Sequence, residues 1–213
     1  MIKRNKGTLI LTSIITLIPM VIGLLLWDQL PDTLPTHWDI NGNVDGWSSK
    51  SFAVFFFPAL LLAIQWLCVF ASCADPKSKD YHPKMIGLVL WTCPVLSLLL
   101  NSMVYAAALG YGLKIEIIMP LIVGLMFVIV GNLLPKCRQS YTMGIKLPWT
   151  LNNEENLNKT HRFGGKVWAI GGVIIMATAL VGSFWLLIGV MVVMVVAPTL
   201  YSYLLYRKQQ REA

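Results

Sequence analysis

Between positions 167 and 206 the chain runs for 40 residues without one formally charged side chain. A single straight helix of that length would reach about 60 Å, twice the thickness of a bilayer's hydrocarbon core. The run therefore predicts two membrane-spanning helices, with the turn between them expected near 187–189. Four further apolar stretches, at 8–27, 52–72, 85–109 and 115–134, are each long enough to cross a bilayer at about 1.5 Å per residue. Charged residues make up only 13% of the chain, against about 25% in soluble domains. The fold class expected is an all-α integral membrane protein with six transmembrane helices. Soluble enzymes, disordered tails and disulfide-stapled toxins fall away at this step. The first stretch is read as an uncleaved span: it is longer than the apolar core of a secretory signal and ends in Leu26-Trp27-Asp28 without a small-residue cleavage site.

The distribution of basic residues orients the spans. Three Lys or Arg residues precede the first span, three lie in 73–84, six in 135–166 and three in the tail; only Lys50 and Lys114 fall in the alternate loops. Positive charge collects on the cytoplasmic side of membrane proteins. Both termini and the two basic loops are accordingly expected on the cytoplasmic side of the membrane. The net charge of +7 then reflects topology, and no direct nucleic-acid partner is expected. Cys68, Cys73, Cys93 and Cys137 avoid the outer loops, so they read as packing residues rather than a disulfide framework. No cofactor is implied. Three segments are delimited: 1–72, two spans with a polar outer loop at 28–51; 85–134, spans three and four; and 135–206, a cytoplasmic loop with spans five and six.

The outer loop contains Asn41-Gly42, a type I′ hairpin signal, with 36–40 and 43–47 able to pair across it. Alternation would place Trp38 and Ile40 on one face, His37 and Asp39 on the other. His37, Asp39 and Asp45 bring metal ligation to mind, yet three such groups do not make a site and both aspartates can equally cap turns. No metal is expected. Trp38 and Trp47 are expected at the membrane interface. The loop is acidic and would attract a cationic peptide.

The 135–166 loop has a more particular grammar. Pro135 ends the fourth span, Leu147-Pro148-Trp149 forms an apolar hook, and Asn152 with Glu155 resembles a capping box opening a helix that leads through Gly164-Gly165 into span five. Glu155 and Lys159 are placed for an i,i+4 pair. Arg138, Lys146, Arg162 and Lys166 could hold anionic lipid headgroups or an acidic partner. His161 and Arg162 could serve a membrane enzyme, but no nucleophile or acid stands in a triad-like relation to them.

The strings 144–151 (GIKLPWTL) and 159–166 (KTHRFGGK), with Asn132-Leu133-Leu134-Pro135-Lys136 upstream, resemble the signature of the SdpI family. Leu34-Pro35-Thr36-His37-Trp38 with Asn41-Gly42 and Asp45-Gly46 is similar to the membrane domain of unknown function that commonly precedes it. Two positions depart from the pattern: Leu157 stands where the family often has tryptophan, and Lys146 where arginine is common. The resemblance implies an immunity protein that shields the producing cell from a secreted killing peptide. It further implies a signalling receptor that sequesters a cytoplasmic winged-helix repressor at the membrane. On that reading Arg138, Gly144, Lys146, Pro148, Trp149, Thr160, His161 and Arg162 would contact the cytoplasmic partner, and His37, Trp38, Asp39 and Asp45 the toxin. Catalytic residues are not expected.

Within the spans, Gln65 and Asn101 are the main amides, and no ionisable side chain lies mid-span. Ion-coupled transport leans on such groups, so a peptide exporter is the alternative and a proton-driven pump is disfavoured. Gly171, Gly172, Ala177, Ala179, Gly182 and Ser183 permit close helix packing in span five.

Overall fold

A computed structural model describes residues 3–151 and 153–212. Among the described residues six helices are long and apolar enough to cross a membrane, and the protein is a multi-pass, all-α membrane protein. The spans are α1 (Lys6–Leu25), α2 (Lys50–Ala74), α3 (Pro83–Ala108), α4 (Ile115–Leu133), α6 (Glu154–Val181) and α7 (Phe184–Glu212), with a one-turn helix α5 (Pro148–Leu151) ahead of α6. Two short strands, β1 (Thr33–Trp38) and β2 (Val44–Ser49), pair antiparallel between α1 and α2. The chain forms two compact units: Met1–Ala74 with Ile86–Ile115, and Asp75–Met85 with Glu116–Ala213.

In the first unit, a polar seam joins three apolar helices. The Gln65 amide donates to Thr12 Oγ1 at 2.7 Å, and Thr16 Oγ1 donates to Gln65 Oε1 at 2.9 Å. Ser97 donates to the Thr16 carbonyl and Tyr105 to the Pro19 carbonyl. Away from water such interhelical bonds contribute about 0.6–2 kcal/mol each. Asn101 instead donates to Ser97 within its own helix. Leu30, Leu34, Ala53, Val54, Val104 and Tyr105 form the buried cluster that roots the β-hairpin. Trp38, half-buried, packs against this cluster on the same strand face as Leu34. Trp47 is 60% exposed.

The hairpin turn also differs from the expected type. A type I′ turn needs positive φ at both central residues, and here Gly42 is positive (82°) while no non-glycine among the described residues is. Asp39 instead accepts from the N–H groups of Asn41 and Asn43, and Gly42 donates to the Asp39 carbonyl. The aspartate's side chain favours an ordinary turn closed by a left-handed glycine. The strands consequently span 33–38 and 44–49, shifted from the expected pairing.

In the second unit, α4 and α6 approach to backbone contact. A Cβ at Gly172 would stand 2.5 Å from the Gly124 carbonyl, and one at Gly131 would stand 2.7 Å from the Gly165 carbonyl. On another side of α6, Gly171 seats Met194 of α7, and the Trp168 indole N–H donates to the Met194 carbonyl at 2.8 Å. The turn between α6 and α7 falls at Gly182-Ser183, earlier than the expected 187–189. Gly182 takes φ +66° and donates to the Thr178 carbonyl, while Ser183 Oγ accepts from the Leu186 N–H. Halving an uncharged run cannot see this stop signal. Outward faces of α7, with Val192, Val193, Val195, Leu200 and Leu204 exposed, suit contact with lipid.

Candidate functional site

The loop between α4 and α6 is built inward from a buried carboxylate and a buried imidazole. Asp75, only 3% exposed, follows α2 directly and aims its carboxylate at the loop's first turn. Its Oδ2 accepts from Tyr81 Oη at 2.6 Å, from the Tyr141 N–H at 2.7 Å and from the Thr142 N–H at 3.1 Å, and its Oδ1 from the Lys77 N–H at 2.8 Å. Burial alone would raise its pKa, but these donors outweigh burial and hold it below the ordinary carboxylate value. Tyr81, buried against that carboxylate and also bonded to Thr142, is pushed up to about 12.

His161 is 1% exposed and makes two hydrogen bonds to main chain. Its Nε2 accepts from the Ile145 N–H at 3.0 Å, so the proton lies on Nδ1, which donates to the Cys137 carbonyl at 3.0 Å. The ring is thereby neutral and ties both ends of the segment 137–145 to α6. Gly144 passes under it with φ +97°; a Cβ there would lie 2.6 Å from Nε2. Only glycine offers both that backbone angle and that clearance. Burial raises the neighbouring Cys137 thiol to about 11, which leaves it a poor nucleophile. With both imidazole nitrogens taken by backbone groups, His161 cannot serve as the base of a Cys–His pair.

The hook docks on α7. The Trp149 indole donates to Ser202 Oγ at 2.9 Å, and its ring lies 5.6 Å from Tyr203 and 5.9 Å from Tyr206. Ser202 Oγ and Thr160 Oγ1 both donate to Asn156 Oδ1, at 2.8 and 3.1 Å. Pro148 opens α5 and is exposed, whereas Thr150 and Thr160 are fully buried. The cap of α6 is Asn153, whose side chain accepts from the Asn156 N–H at 2.9 Å; the expected Asn152 lies outside the described residues. Glu155 and Lys159 pair at 2.5 Å as expected.

Of the eight residues expected to meet a cytoplasmic partner, His161, Thr160, Gly144 and Trp149 thus shape the loop from within. Lys146 is exposed, but its ammonium donates to the carbonyls of Tyr141 and Thr142 at 3.1 and 3.0 Å. A point cation suffices for two separate carbonyls, so the planar fork of arginine is not needed there. Arg138 and Arg162 are exposed and line one cleft of about 640 Å³. Sequence reasoning missed Asp75, Tyr81, Asn156 and Ser202. Asp75-Pro76 is a recognisable turn start, but nothing local points to partners more than sixty positions away.

In the hairpin, His37 Nδ1 lies 2.5 Å from Asp45 Oδ1, with the two side chains 73% and 47% exposed. Asp39 is spent on its turn, and hydrogen bonds from Asn43 hold its pKa low. Among the described residues no three His, Cys, Asp or Glu side chains could hold a metal ion.

Comparison with known proteins gives two family matches: the SdpI/YfhL protein family over residues 136–202 and the Domain of unknown function (DUF1648) over residues 14–62. The chain is 28% identical to Immunity protein SdpI of Bacillus subtilis (strain 168), over 97% of each chain. No solved structure matches it. The SdpI match contains Gly144, Trp149, His161, all of α6 and the first part of α7, and the hairpin falls in the other match. The chain thus carries an SdpI/YfhL segment behind a DUF1648 segment, and resembles an SdpI immunity protein along nearly its whole length.

Proposed function

We propose that this protein is a membrane immunity protein that protects its own cell from a secreted antimicrobial peptide. The observation that carries the reading is end-to-end similarity to an immunity protein. Three features support it. The polar hairpin between α1 and α2 offers an acidic, solvent-exposed surface of a kind that attracts a cationic or amphipathic peptide. The charge asymmetry of the loops favours an arrangement with that hairpin outside and the termini inside. And His161 and Cys137, the residues most open to a catalytic reading, are committed to holding the loop together, which favours a binding role over an enzymatic one. Expression in a sensitive bacterium should raise survival under the killing peptide of a related strain. Equal killing with and without the membrane-inserted protein, across a panel of such peptides, would sink the reading.

A signalling role follows as its finer form. Toxin binding at the hairpin would change the cytoplasmic loop so that it captures a soluble winged-helix repressor, with the exposed Pro148 and Lys146 as first contacts. Co-sedimentation of repressor with membranes only when toxin is present is the expected result. Repressor that remains soluble under saturating toxin would leave immunity alone.

A further inference from the structure

We infer that the cleft bearing Arg138 and Arg162 is a binding site for the phosphate headgroup of an anionic phospholipid. Its walls come from three stretches of the second unit. Glu154, Asn158 and Arg162 occupy successive i,i+4 positions on one face of α6. Arg138 comes from the segment just after α4, and Lys77 and Asp80 come from the turn before α3. The arginines are placed by the buried bond described above: Arg162 follows His161 and Arg138 follows Cys137, so the imidazole that joins those two residues also brings the two guanidinium-bearing segments together. Lys77 is held in turn by the Gln139 side chain and by the Tyr141 ring, 5.8 Å below its ammonium.

Neither arginine is neutralised. Among the described residues, Arg138 and Arg162 form no ion pair and donate no hydrogen bond, although Glu154 and Asp80 line the same cleft. Guanidinium groups brought to one cleft and left unpaired by the carboxylates beside them can hold an external oxyanion, which their fork geometry fits. The depth of the cleft selects the source of that oxyanion. Arg162 stands five residues before Val167, where the uncharged run begins, and five helical residues rise about 7.5 Å. Pro135, which also lines the cleft, sits just after the apolar end of α4. Both residues thus stand at headgroup level, where basic pockets between spans take up anionic lipid. The two carboxylates suit hydroxyl donors beside the phosphate, as in a glycerol headgroup.

The test uses the full chain purified in mild detergent, with bound lipid counted by native mass spectrometry. Dioleoylphosphatidylglycerol should be retained in preference to dioleoylphosphatidylcholine. The double variant Arg138→Gln/Arg162→Gln should weaken that retention about thirtyfold. Lys84→Gln/Lys114→Gln removes the same charge away from the cleft and should leave retention within about twofold. If the double variant does not fold, the single variants, each expected to lose about fivefold, decide. Equal retention of the two lipids, or unchanged retention in the arginine variants, overturns the proposal. Full displacement of the lipid by millimolar inorganic phosphate or glycerol 1-phosphate overturns the lipid assignment and makes the site one for a soluble phosphate. The measurement contains neither toxin nor repressor, so it stands or falls apart from immunity.

Discussion

The hairpin and the motif loop are both polar insertions between apolar helices, yet they use their polar side chains in opposite ways. In the hairpin, His37 and Asp45 pair in solvent and Asp39 closes its own turn; the fixed part is apolar, the cluster under Leu34 and Trp38. In the motif loop the polar groups are the fixed part. Asp75, His161, Thr150, Thr160 and Asn156 are buried and each is hydrogen-bonded within the second unit. A buried polar network is costly to break because each orphaned partner keeps its desolvation penalty. The difference teaches that much of the motif's sequence grammar specifies a shape, whereas the hairpin's surface residues are free to specify a ligand. Substitutions in the two regions should therefore separate folding from recognition.

The largest effect is expected at Asp75. Asp75→Ala removes the acceptor for the donors of Tyr81, Tyr141, Thr142 and Lys77 and should cost about 3–5 kcal/mol, read as the shift of thermal unfolding in detergent. A cost below about 1 kcal/mol would mean the loop is not pinned from within. Gly144→Ala comes next, at about 2–4 kcal/mol, since the left-handed backbone alone costs 1–2 and the His161 ring must also move. The same network makes stability depend on pH at both extremes. Asp75 titrates below its ordinary value of 3.8 when folded, so its contribution is complete above that value and is lost as pH falls through the lower folded value. Tyr81 titrates at about 12 when folded against 10.0 otherwise, so its contribution is complete below pH 10.0 and drains away as pH rises toward 12. Tyr81→Phe should abolish the alkaline loss in a plot of unfolding midpoint against pH and shrink the acid limb without removing it, since Asp75 loses one donor and keeps those of Lys77, Tyr141 and Thr142.

How much of this was legible follows from the range over which each signal acts. The six spans were readable because length and missing charge act residue by residue, and the ends of the first four fell within about two positions of the observed helices. The Gly182 turn was not located, since an uncharged run carries no internal landmark other than the glycine itself. Trp149 and His161 stood out as candidate partner contacts; their bonds within the chain, to Ser202 and Cys137, join positions that periodicity cannot bring together. Asp75 looked like one more loop charge because Tyr141 and Thr142 lie 66 and 67 positions along the chain. Local chemistry was visible, and tertiary pairing was not. Trp149→Phe measures the inward reading at modest scale: it keeps the ring stack, loses the bond to Ser202, and should cost about 1 kcal/mol in the unfolding midpoint. A neutral result would return Trp149 to the list of recognition residues.

The smallest structural effect belongs to Asp45, and it gives the sharpest separation of the two regions. Its pair with His37 is exposed on both sides, and exposed pairs contribute about 0–1 kcal/mol. Asp45→Asn keeps the size and the hydrogen-bonding shape of the side chain while removing one of five acidic charges from the outward-assigned loops. Unfolding should shift by less than about 0.5 kcal/mol. The effect of losing that charge should appear instead in the capture of a cationic peptide: a slower association rate, less marked as salt is raised, because long-range attraction is screened within about 10 Å at 0.1 M ionic strength. Surface plasmon resonance on the reconstituted protein reads both the rate and its salt dependence. An association rate equal to that of the parent at low salt would show that the hairpin's charge does not guide the peptide. A large loss of stability would instead place His37 and Asp45 among the groups that hold the fold, and erase the contrast with the motif loop.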